Sequence, residues 1–95
     1  MEKQSSLYIM NMVKECSIKA AEGDVDSMRL LVPAYRALKI LKSEQEKILE
    51  ACLMSGVDDA IDRSLKVSEK MEKLLKNAET IYKKAEEVFK EEQKK

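Results

Sequence analysis

Residues 57–89, VDDAIDRSLKVSEKMEKLLKNAETIYKKAEEVF, repeat an apolar face every seven residues over five consecutive heptads. One column reads Ala60, Val67, Leu74, Ile81, Val88; its neighbours read Ile61, Ser68, Leu75, Tyr82, Phe89 and Val57, Ser64, Met71, Ala78, Ala85. Three adjacent columns out of seven make a stripe wider than the seam of a dimeric coiled coil, which is the pattern of a helix buried in a bundle. The remaining positions are nearly all charged, with Glu69/Lys73, Glu72/Lys76, Glu79/Lys83, Glu86/Lys90 and Glu91/Lys95 in the favourable order at i,i+4. The spacing predicts one long helix with a distinct inside and outside.

Moving toward the N-terminus, Ser55 and Gly56 close a preceding helix and Asp58 caps the long one, a tight reversal. That second helix is expected from about Val25 to Met54, with Leu31, Tyr35, Leu38, Leu41, Ile48, Leu49 and Cys52 inward and Gln45 interrupting the stripe. Pro33 removes one backbone bond and crowds the carbonyl four residues back. No Ser, Thr, Asp or Asn precedes it to start a new helix, so a kink is expected in place of a break; a break would give four helices. A first helix, capped by Ser5 or Ser6 and running to about Glu22, places Ile9, Met12, Val13, Cys16 and Ala20 on one side, with Met10 and Ala21 on its shoulder. Gly23 supplies its left-handed stop and Asp24 the next N-cap, so helices one and two are antiparallel neighbours.

The expected fold is therefore all-α: a long helical hairpin plus a shorter N-terminal helix, in one domain over residues 1–95, with frayed tails at 1–5 and 90–95. At 1.5 Å per residue the three helices measure about 26, 45 and 50 Å, so they cannot all cover one another. With tight turns, helix one lies beside roughly residues 25–40 and 72–87, leaving about 41–71 as a bare two-helix tip. That tip carries Ile48, Leu49, Cys52, Ile61, Leu65, Ser68 and Met71, together with Leu53 and Val67. A contiguous apolar patch of this kind marks an interface. The expectation is a homodimer in which two tips complete a four-helix bundle, with Ser64 and Ser68 allowing close helix approach; another protein is a second candidate for the patch.

Composition narrows the chemistry. Lys and Arg number 18 and Asp and Glu 18, so the chain as a whole offers no net attraction to nucleic acid or an acidic membrane. With no run of apolar residues long enough to span a bilayer and no leader pattern, neither a membrane segment nor a signal peptide is expected, and the default location is the cytoplasm. The chain has no His, hence no imidazole base and no His metal ligand. Phosphate-loop glycine motifs are also absent. Cys16 and Cys52 sit about 12 and 42 Å along the bundle from the first turn, far beyond bridging distance, and read as small buried hydrophobes. Tyr8, Tyr35, Tyr82 and Phe89 read as core or core-edge groups, and the six Met as plastic packing.

The expected function is thus non-enzymatic: a protein-protein interaction or assembly module acting through helical surfaces, without cofactor or metal. Two alternatives have residues of their own. Residues 27–43 carry Arg29, Arg36, Lys39 and Lys42 with no acid, and Arg29, Arg36 and Lys39 with Lys47 offer a basic face on helix two that a nucleic-acid accessory protein would use. Glu46, Glu50, Asp58, Asp59 and Asp62 gather near the second turn, where a carboxylate-metal nucleotide hydrolase would hold Mg²⁺; helical projection turns most of them away from the inward stripes.

Overall fold

The computed structural model describes residues 2–93, with side chains over 6–90. Among the described residues there are three helices and no strand: α1 (Glu2–Ala21), α2 (Val25–Ser55) and α3 (Asp58–Gln93). α2 runs unbroken through Pro33, so the four-helix alternative does not arise. The outermost residues of the two expected tails, 1 and 94–95, lie outside the described residues.

Both reversals rest on glycine. Gly23 (φ 102°) and Gly56 (φ 73°) adopt the left-handed backbone that a side chain would strain. The Gly56 N–H donates to Cys52 O at 3.2 Å, and the Asp24 N–H reaches back to Lys19 O at 3.1 Å. Asp24 holds the cap position of α2, but its carboxylate accepts from the Ser27 hydroxyl at 2.7 Å and makes no bond to a backbone N–H. At α3 the capping carbonyl belongs to Val57, which accepts from the Ile61 N–H at 3.0 Å, one residue before the expected Asp58.

The core is built where all three helices meet. Val13, Cys16 and Ala20 from α1, Leu31, Ala34, Tyr35 and Leu38 from α2, and Met71, Leu75 and Ala78 from α3 form one buried cluster. Leu41, Leu74, Ile81 and Tyr82 pack against it. Tyr35 stacks on Tyr82 with ring centroids 4.0 Å apart and planes 15° from parallel. Tyr8 is exposed instead of core, because it lies about 100° around α1 from the buried stripe; Phe89 is also exposed.

Residues 7–14 of α1 and 70–77 of α3 line a common groove, so these helices run parallel while α2 is antiparallel to both. The same register puts Glu2 level with about residue 65 of α3. α1 thus starts earlier and sits nearer the second turn than its sequence suggests, and the bare tip shrinks to roughly the last two turns of α2 and the first two of α3. The molecule is still a rod, 53 × 26 × 23 Å, its long axis matching the length of α3. Its radius of gyration is 15.3 Å, where a compact chain of this length has about 12.4 Å.

Candidate interface at the open end of the hairpin

Burial along the α3 stripe fades toward the second turn. Ser64, Met71, Ala78 and Ala85 are nearly inaccessible, whereas Val57 in the same column is 54% exposed and Val67 in the next is 37% exposed. α1 begins level with about residue 65, so the first two turns of α3 lie past its described start. In line with its track, Gln45, Ile48 and Cys52 of α2 and Ala60, Arg63, Ser64 and Val67 of α3 line an open groove of about 290 Å³. Gln45 no longer reads as an interruption: its Nε2 donates to Ser64 Oγ at 2.9 Å and Ser64 O at 3.3 Å, tying the two helices together at the groove floor.

The residues assigned to self-association from sequence divide into three groups. Ile48 and Cys52 line this groove. Ile61, Leu65 and Ser68 form a second line at i, i+4, i+7, about 120° around α3 from the Ala60 and Val67 side; the Ser68 hydroxyl is enclosed without a hydrogen-bond partner. Leu49 is half-buried. Met71, only 3% exposed, lies in the core and has no surface to offer a second molecule, because α1 rises far enough to cover it.

The basic residues of α2 do not form one free face. The Arg36 guanidinium donates to the Tyr82 hydroxyl at 3.1 Å and to Glu86 at 3.3 Å, and that hydroxyl donates to the same Glu86 oxygen at 2.7 Å. The Tyr82 hydrogen bond, then that of Arg36, holds the Glu86 carboxyl below its ordinary range; Tyr82 and Glu86 likewise raise Arg36. Lys39 lies over the Tyr35 ring, 5.6 Å from its centroid. Lys42 pairs with Glu46 at 3.7 Å. Arg29 and Lys47 are exposed at opposite ends of the row, and Arg29 has an interaction of its own. At the acidic turn, no three His, Cys, Asp or Glu side chains converge on one point among the described residues.

Sequence reasoning passed over the second groove, between α1 and α3. Leu7, Met10 and Leu74 line it together with Lys14, Lys70 and Lys73. Those three lysines make no ion pair among the described residues, and only the parallel packing of helices one and three brings them together. Both cysteines are free thiols; Cys16 is buried, and burial, followed by the nearby Glu15, raises its pKa.

The fold and its open end define a small all-α chain with an uncovered apolar groove. No protein-family model, curated protein or solved structure matches it. No helix among the described residues is long and apolar enough to cross a membrane.

Proposed function

We propose that this chain is a non-enzymatic assembly module that binds protein through the open end of the α2–α3 hairpin, and that its first partner is a second copy of itself. The observation carrying this is the open groove that Ile48 and Cys52 of α2 and Ala60 and Val67 of α3 line at the end of the hairpin. Surface area supports it. The chain exposes 7150 Å², whereas a folded monomer of 10.9 kDa exposes about 5,600 Å². The difference exceeds the roughly 800 Å² per partner that a standard interface removes.

Light scattering over a dilution series tests this. The parent is expected at twice the chain mass when concentrated and to fall toward 10.9 kDa on dilution. Ile48→Asp, which puts a carboxylate where a facing apolar surface would strip its water, is expected at the single-chain mass throughout, with helical circular dichroism unchanged because Ile48 is 53% exposed already. A parent that stays at the single-chain mass at millimolar concentration overturns the proposal.

A further inference from the structure

We infer that the groove between α1 and α3, apart from the open end of the hairpin, is a docking site for an acidic amphipathic helix of a partner protein. Its floor is apolar and its rims are cationic. Leu7, Met10 and Leu74 line it together with Lys14 on the α1 side and Lys70 and Lys73 on the α3 side, around a volume of about 310 Å³. Leu7 is 63% exposed, and Met10 and Leu74 are half-buried, so apolar surface is open to a segment lying along the groove. In the common register of the two helices Lys70 stands level with Leu7, and Lys14 level with Asn77. The three charges are thus spread over about 10 Å, or two helical turns.

Charge complementarity selects the occupant. No acid lines this groove, and none of its three lysines forms an ion pair among the described residues. By contrast, the groove between α2 and α3 sets Glu72 and Glu79 among Lys39, Lys42 and Lys76. The acids nearest in sequence point elsewhere: Glu69, one turn before Lys73, projects about 40° farther from the floor than that lysine, and Glu15 about 100° farther than Lys14. Cations and anions balance over the whole chain, so the groove is a local excess of positive charge around an apolar floor, which attracts a segment of the opposite sign. A helix with apolar residues at i, i+3 or i+4, and i+7, and with Asp or Glu on both flanks, meets the floor and both rims at once. An acyl carboxylate carries its single charge at one end and leaves two lysines unanswered. A nucleic-acid backbone answers the lysines and leaves the aliphatic floor unfilled.

Synthetic peptides of about 18 residues, long enough to hold a helix, test this. Each carries Leu at the a and d positions of its heptads, flanked by Glu in the first peptide, Gln in the second and Lys in the third. Titrated into the isotope-labelled chain at low salt, the Glu peptide is expected to shift the backbone amide resonances of residues 7–14 and 70–77 saturably. It should bind about tenfold more tightly than the Gln peptide, an advantage that added salt removes, and the Lys peptide should not bind. K14E/K70E/K73E changes exposed positions only, so its helical circular dichroism and its mass by light scattering should match the parent's. It is expected to reverse the order and take the Lys peptide ahead of the Glu peptide, which a mere loss of structure does not produce. If that variant unfolds, the peptide series on the parent decides alone. Equal affinity for the Glu and Gln peptides overturns the proposal, as do shifts centred on residues 45–67 or no saturable shift at all. A variant that stays helical but loses self-association makes this groove a face between copies and overturns it too. So do vesicles of phosphatidylserine that bind ahead of the Glu peptide. The open-end proposal stands or falls on the parent's mass, so the two failures are told apart.

Discussion

The Ser68 hydroxyl is enclosed with no hydrogen-bond partner among the described residues. A buried donor left unmade costs more than a made hydrogen bond contributes, and alanine is also the better helix former. Ser68→Ala is therefore expected to stabilise the fold by about 1 kcal/mol, read as a higher urea midpoint at unchanged slope. A lower midpoint would mean that the hydroxyl does have a partner. Glu86 provides the pH dependence. Its folded pKa is depressed by the Tyr82 hydroxyl and by Arg36, so its contribution is complete above the ordinary value of 4.5 and is lost as the pH falls through the folded one. Tyr35 has the opposite sign: burial, followed by Glu79, raises it, so stability declines as the pH rises above 10.0. Thermal melts across pH should show Glu86→Gln flattening the acid limb and leaving the alkaline limb in place.

At the scale of the element, Pro33 sits in the interior of a 31-residue helix, with no N–H to offer the Arg29 carbonyl four residues back. Pro33→Ala restores that bond, removes the ring's clash and sets against them only the small gain in unfolded-chain entropy. The net is a stabilisation of about 2 kcal/mol, checked by denaturant unfolding. Helix count, turns and the buried stripe were all legible before the structure, because 3.6-residue periodicity and two glycines specify them locally. The height of α1 was not. Its start lies in a polar stretch without a strong stop, and a shift of one turn decides whether Met71 is surface or core. Nor could the Arg36, Tyr82 and Glu86 cluster be read from spacing, since its members are 46 and 50 residues apart and meet only once α2 and α3 are in register. At the candidate interface, the apolar residues were identified by type, but their division between a groove and a second line depends on which side of the hairpin α1 occupies.

At the scale of the whole molecule, shape separates the possible assemblies. The monomer is 53 Å long. Two copies joined only through their open ends would extend well beyond that, since most of each rod points away from the shared end. Copies lying side by side along their full length would stay near the monomer value. Small-angle scattering at a concentration where the mass is doubled should give a maximum dimension well above 53 Å, and a value near that of the monomer would exclude joining through the open ends.

The two cysteines turn this architecture into its own gauge. Cys52 lines the open groove, and Cys16 is sealed in the core with a thiol that burial keeps protonated. A thiol-reactive dye therefore meets two different clocks in one chain. Its rate at Cys52 reports how often the groove stands empty, and should slow as concentration rises or as any true partner is added. Its rate at Cys16 reports how often the bundle opens, and should follow stability alone. Occupancy and folding are thereby read separately, from the same sample, without substituting any residue of the protein.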